Sequence, residues 1–356
     1  MEYTSGIGVM SGTSLDGIDL AWCKFAEDEQ GCWHYEVLKA ATFPYAPDMR
    51  EQLAHATELS ALDYCKLNIA LGKVFAERIN TFVGDDAKPD YIASHGHTVF
   101  HQPSVGLTTQ IGSGPVIAAE TGITTVCDFR TLDVAYHGQG APLVSIGDQL
   151  LFGQYDACLN LGGFSNISFQ SGNQRIAFDV SPCNMGMDLL ANKLGLPYDK
   201  DGNTARSGKV IPKMLDELNR LGYYTQPWPK SLGKEWFDQN IMPIFDTYII
   251  YNAIEDCLRT FVEHVAAQIA NAIPEGKNNL LVTGGGALNK FLIERVQNLW
   301  PNKVVIPDEL TINYKEAIVF AFLGYLRLHE KENCLSSVTG ADTDNCGGCV
   351  WNVKKS

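Results

Sequence analysis

Gly6-Ile7-Gly8-Val9-Met10-Ser11-Gly12-Thr13-Ser14-Leu15-Asp16-Gly17-Ile18-Asp19-Leu20-Ala21-Trp22 starts as an apolar run, breaks at small residues and resumes as alternation. Ile18 and Leu20 are apolar around a polar Asp19, and Ala21, Trp22, Cys23 and Phe25 continue the apolar character. This is the pattern of strand, tight turn, strand. Small residues in the turn let backbone N–H groups approach an oxyanion, and the hydroxyls add donors. Asp16 in the same turn suits a hydrated Mg²⁺. The stretch is not a P-loop, because no Gly-Lys-Ser/Thr ending and no helical pattern follow. Taken alone, it is equally compatible with an ordinary hairpin whose turn is rich in glycine and serine.

The second half repeats the outline. Cys158-Leu159-Asn160-Leu161-Gly162-Gly163-Phe164-Ser165-Asn166-Ile167-Ser168-Phe169 is again strand, glycine turn, strand, and Arg175 to Ser181 follows as a strand delivering Asp179. Asn279 to Thr283 reads as a strand leading into Gly284-Gly285-Gly286 and a helix over 288–299, a place where a nucleotide can lie against bare backbone. The repetition predicts two similar α/β domains that face each other and share a cleft.

Composition agrees with a globular protein. The 356 residues are 45% hydrophobic and 19% charged, enough to bury a sizeable core. A formal net charge of −14 argues against nucleic acid and anionic membrane as partners, but not against phosphate ligands held locally. The N-terminus shows no export signal and no apolar run reaches membrane-spanning length, so a cytoplasmic location with reduced thiols is expected. Cys346-Gly347-Gly348-Cys349 lacks a second ligand pair for zinc and reads as an incidental tail feature.

Between the hairpins, residues 34–40 predict a third strand, residues 47–83 a helical stretch, and residues 89–94 a buried strand ending in His95-Gly96-His97-Thr98. His95, His97 and His101 invite a metal reading, but a polar loop facing a cleft fits better, since no third ligand shares the geometry. A Gly-rich loop over 133–142, a basic segment Pro229–Phe237, a helix over 255–272, a final strand over 304–307 and a helix over 316–328 complete the chain.

With these motifs assembled, the chain resembles the anhydro-N-acetylmuramic acid kinase family, within the superfamily of sugar kinases, actin and heat-shock ATPases. The residues that carry the resemblance are Met10 to Gly17, Ser94 to Gly96, Gln110 to Gly112, Asp128 to Arg130 and Gly138 to Leu143. They continue through Leu159 to Gly163, Phe178-Asp179, Asp199 to Gly202, Pro229 to Glu235, Gly284 to Ala287 and Val338 to Ala341. The resemblance implies two RNase H-like domains of actin/hexokinase type with an active site in the cleft between them. It puts an N-terminal domain at 1–127, with the tail 336–356 packing back on it, and a C-terminal domain at 128–335.

The resemblance further implies an ATP- and Mg²⁺-dependent reaction of cell-wall recycling. The ring of 1,6-anhydro-N-acetylmuramic acid is opened by water, and O6 is phosphorylated to give N-acetylmuramate 6-phosphate and ADP. It assigns catalysis to Asp179 as base and to Glu316. Nucleotide binding goes to Gly12, Thr13, Ser14, Leu15, Asp16, Gly17, Ile18 and Asp19 with Gly162, Gly163, Gly284, Gly285 and Gly286. Substrate binding goes to His95, His97, Arg130, Gln139 and Asn184, Mg²⁺ is reached from Asp16 mostly through water, and the assembly implied is a homodimer. The chain departs from the family's usual pattern at Val180-Ser181-Pro182-Cys183, where a Gly-Pro-Gly turn is usual, and at His97, Thr131, Leu132 and His137, where Gln, two arginines and Gly are common. Two alternatives stay open: another anhydro sugar or a hexose as substrate, or an actin- or heat-shock-type ATPase module.

Overall fold

Alternating side chains bounded by glycine do form hairpins. In a computed structural model that describes residues 2–12 and 15–353, β1 (Thr4–Ser11) pairs antiparallel with β2 (Ile18–Glu27), and β2 with β3 (Trp33–Phe43). On the other side of β1 the chain adds β4 (Tyr91–Gln102) and then β6 (Thr124–Cys127) in parallel, while β5 (Leu107–Ile111) folds back antiparallel on the far end of β4. The helix Ala61–Val83 lays Leu67, Leu71, Phe75 and Ile79 on Ile7, Val9, Ile18 and Leu20, closing one core. Ser60 caps this helix by accepting from Asp63 N–H. A 3₁₀ turn over Ala56–Glu58 separates it from the helix Pro47–Ala54, so the expected helical stretch is two helices.

The second sheet is built the same way. β7 (Ala157–Leu161), β8 (Phe164–Ser171) and β9 (Gln174–Pro182) form the meander, and β10 (Asn279–Thr283) and β11 (Lys303–Val305) lie parallel beyond β7. The orders β6-β4-β1-β2-β3 and β11-β10-β7-β8-β9 are the same topology twice, a meander followed by two parallel strands. The helix Ile254–Ala272 seals the second core with Cys257, Leu258, Phe261, Val265 and Ile269 against Leu159, Ile167 and Phe169.

The chain divides into two compact units, Met1–Leu151 with Tyr314–Ser356, and Phe152–Asn313. The boundary expected at 127/128 therefore falls later, and the one expected at 335/336 falls earlier. The reason is packing beyond β6. Arg130 bonds His95, and Lys315 forms a buried 2.6 Å ion pair with Asp148, so residues 128–151 and most of the helix Glu309–Leu328 stay with the first unit. That helix starts seven residues before the expected Glu316. The tail adds β12 (Cys349–Trp351), antiparallel to β6, so the strand at 303–305 is not the last. No helix among the described residues is long and apolar enough to cross a membrane.

Candidate active site

In the first unit the groups gather at the end of β1. A cavity of about 400 Å³ is lined by Met10, Ser11, Gly12, His95, Thr98, His101, Arg130, Ala141 and Glu316. Close packing places Glu316 there. Gly8 has no side chain because the helix Glu309–Leu328 lies on it: a Cβ at Gly8 would sit 1.8 Å from Ala317 O. Solvent reaches the Glu316 carboxylate through the cavity, yet protein walls it closely enough for desolvation to raise its pKa, while Arg130 and then Lys315 pull it back.

The histidines lie within β4 rather than in a loop beyond it, because β5 extends the pairing past them. His95 Nδ1 is 2.9 Å from Gly96 O, which can only accept, so Nδ1 carries the proton and Nε2 accepts from Arg130 Nε (3.1 Å) and Nη2 (2.8 Å). Burial and then Arg130 hold its pKa well below the usual value, so the ring is neutral. Both nitrogens being engaged, His95 orients Arg130. Arg130 Nη1 donates to Gly140 O at 2.5 Å. His97, its pKa lowered by burial, shares a 2.9 Å hydrogen bond with Ser11 Oγ, which also meets Tyr45 OH at 2.6 Å.

Around the first turn, Leu15 adopts φ 59° and its N–H bonds Gly12 O at 3.3 Å. Asp16 is exposed, Gly17 is buried against Phe43 O, and Ile18 is core. Asp19 receives Thr42 Oγ1 at 2.5 Å; burial raises its pKa and Asp16 adds to that rise. Two carboxylates that repel across one turn suit a hydrated divalent cation. Thr13 and Ser14 lie outside the described residues. Gln139 is exposed, its N–H bonded to Thr339 O at 2.8 Å.

In the second unit the two glycine turns and the start of the helix Asn184–Asn192 come together. Gly163 O accepts from Cys183 and Met185 N–H, Gly162 O accepts from Asn184 N–H, and Asn184 Nδ2 donates to Leu161 O at 2.9 Å. Packing accounts for two of the three glycines at 284–286. Gly284 has φ +79° with Asn160 Oδ1 2.7 Å from a built Cβ, and a Cβ at Gly286 would meet Leu161 at 2.7 Å. Gly285 is exposed, and a Cβ added there would meet nothing nearer than 3.8 Å, so its glycine identity is not required by packing. The following helix is already capped by Asn289 after a 3₁₀ turn, so its N-terminus is not the bare donor set expected. Gly284→Ala is therefore expected to cost about 1–3 kcal/mol of stability, and Gly285→Ala to leave Tm unchanged but weaken ATP binding; melting and ATP titration of the two variants check this.

Asp179 sits on β9 with Oδ2 accepting Leu232 N–H at 2.8 Å. Its main-chain O accepts Tyr223 OH at 2.5 Å and its N–H bonds Lys230 O. Burial raises the carboxyl's pKa, and the Leu232 N–H offsets part of the rise. The segment Pro229–Phe237 is thus partly tied down: Lys230 packs over the Phe178 and Tyr223 rings, and Lys234 begins a helix. The lost family glycines are accommodated because Val180 to Pro182 continue β9 and Cys183 has φ −130°, so no positive φ is needed. His137 does adopt φ 64°, the conformation a glycine there would take, and its Nδ1 meets Asp342 Oδ2 at 2.8 Å. Ser11, Tyr45, Asp133 and Tyr223 were not named as site residues from the sequence; Ser11 and Asp133 lie within the quoted turn and loop, while no local pattern marks Tyr45 or Tyr223.

Two units of one meander-plus-parallel topology define a two-domain RNase H-like protein of actin/hexokinase type. Residues 4–352 match the anhydro-N-acetylmuramic acid kinase family. Proteins of that name are 35% identical in Hydrogenovibrio crunogenus over 97% of both chains, 38% in Actinobacillus pleuropneumoniae serotype 7 over 97% of this chain and 98% of that one, and 36% in a Sulfurovum species over the same shares. The chain belongs to the anhydro-N-acetylmuramic acid kinase family.

Proposed function

We propose that this protein is an ATP-dependent sugar kinase that opens 1,6-anhydro-N-acetylmuramic acid with water and phosphorylates its O6, releasing ADP, as a step of cell-wall recycling. The observation that carries the reading is the family match over residues 4–352. Asp179 takes a proton from the water attacking the anomeric carbon. A carboxyl whose pKa burial has raised is a stronger base than an ordinary Asp, and Oδ1 makes no hydrogen bond among the described residues. The acetal opens, O6 leaves with its electron pair, and the γ-phosphorus captures it. The turn Gly12 to Asp19 and the exposed glycines Gly163 and Gly285 hold the nucleotide by backbone donors. Asp16, with Asp19 beside it, would hold the Mg²⁺, mostly through water, and the ion would neutralise phosphate charge there. Arg130, aligned by His95 and Gly140, takes the sugar's carboxylate, and His97, Gln139 and Asn184 complete the sugar contacts. Glu316, in the same cavity as Arg130, is the second catalytic carboxylate.

The reading includes a cytoplasmic homodimer, to be read as a light-scattering mass above one 39.1 kDa chain. The decisive assay is ADP release with Mg²⁺, with and without the anhydro sugar. Turnover is expected only with both, along with a sugar 6-phosphate by mass spectrometry. ADP release indifferent to the sugar would leave an ATPase instead.

A further inference from the structure

Asp133 is fully buried; the Arg130 charge reaches it through space, but no lysine or arginine forms an ion pair with it among the described residues. Its carboxylate is instead saturated by neutral donors. Oδ2 accepts Gly140 N–H at 2.7 Å, and Oδ1 accepts Thr339 Oγ1 at 2.8 Å, Asn345 Nδ2 at 3.0 Å and Cys334 Sγ at 3.0 Å. Three of these donors come from the C-terminal segment, more than 200 positions away in sequence. Asp133 O also accepts Gly138 N–H at 2.9 Å. The loop is wound closely on this side chain: a Cβ at Gly138 would lie 2.2 Å from Asp133 Oδ2, and one at Gly140 would lie 2.8 Å from Val134 Cγ2. A buried carboxylate is tolerated only where its lone pairs are filled, so its donors are held in one arrangement.

One of those donors belongs to Gly140, whose carbonyl receives Arg130 Nη1 at 2.5 Å. The other side of the guanidinium is held by His95 Nε2. Arg130 is thus aimed by two neutral acceptors, one in β4 and one in a loop whose shape Asp133 dictates. Its guanidinium faces the cavity it lines, where Glu316 and, from behind, Asp133 offset part of its charge and neither forms an ion pair with it among the described residues. We infer that Asp133 is a positioning residue for sugar recognition: anchored by the C-terminal segment, it fixes Gly140 and through Gly140 the direction of the Arg130 guanidinium. This rests on the proposal that Arg130 meets the sugar.

The test uses the full chain and separates sugar from nucleotide. Asp133→Asn keeps the shape but cannot both accept from Gly140 N–H and satisfy the three tail donors. Its KM for the anhydro sugar is expected to rise at least about tenfold, with kcat and KM for ATP within about threefold of wild type. Leu71→Ala, a core truncation in the same unit, serves as the purely structural control, lowering Tm without shifting the sugar KM selectively. If Asp133→Asn does not fold, Thr339→Val with Asn345→Leu, which removes two of the Oδ1 donors, is expected to raise the sugar KM at least about threefold with the ATP KM unchanged. Arg130→Met sets the reference. If Arg130→Met leaves the sugar KM unchanged, the reading of Arg130 falls. If it raises that KM while the Asp133 variants do not, or if they shift both KM values as Leu71→Ala does, the inference is overturned.

Discussion

Asp179→Asn is expected to lower kcat about 10³-fold while ATP affinity stays within about twofold of wild type. The amide keeps the shape of the side chain and still accepts Leu232 N–H, so the strand and its supporting loop remain in place. What disappears is the ability to take a proton from water. The pH profile gives a second handle. Burial raises this carboxyl's pKa, so the acid limb of kcat/KM is expected above the ordinary aspartate value of about 3.9. The sign is fixed by the role: a base works deprotonated, so the rate falls tenfold per unit as pH drops through that raised pKa. A variant that phosphorylates the sugar at wild-type rate, or an acid limb at or below the ordinary value, removes Asp179 from the role.

Gly8→Ala is expected to be the most damaging single-methyl change in the first unit. An added Cβ would sit 1.8 Å from Ala317 O and 2.8 Å from Ala321 N, both backbone atoms of one helix, so the helix must move bodily. Such overpacking costs about 3 kcal/mol, or a Tm drop of about 6–12 °C for a unit of this size. Glu316 precedes Ala317, so the displacement also disturbs the cavity, and residual activity at low temperature is expected to fall with stability. Gly222→Ala, where no atom lies within 4 Å of the new methyl, is the control and should melt as wild type. Equal melting of the two variants would show that the helix does not press on β1.

Both meanders were legible because period-two alternation broken by glycine is local, and each of the two glycine turns of the second half sits where a strand ends. The family resemblance supplied the identity of the chain, which periodicity alone does not. Other features were invisible for physical reasons. β12 is three residues long and exists only because β6 offers an edge. The polar run His95 to Gln102 looks like a loop until β5 is known to pair with it. The domain boundary was misjudged because Lys315–Asp148 and Arg130–His95 are contacts between residues far apart in sequence. The triple glycine has a packing reason that the sequence did not show: a Cβ at Gly284 or Gly286 would clash, while one at Gly285 would not.

The interrupted make-up of the first unit has a consequence for synthesis. Phe152–Asn313 is one continuous stretch, so it can close while the ribosome is still translating. The earlier residues must wait with the edge of β6 and the Asp133 carboxylate uncovered, because Cys334, Thr339, Asn345 and Cys349–Trp351 are made only after the whole of the second unit. A polypeptide that stopped before Thr339 would therefore keep every residue of the second unit and leave the first-made unit unfinished.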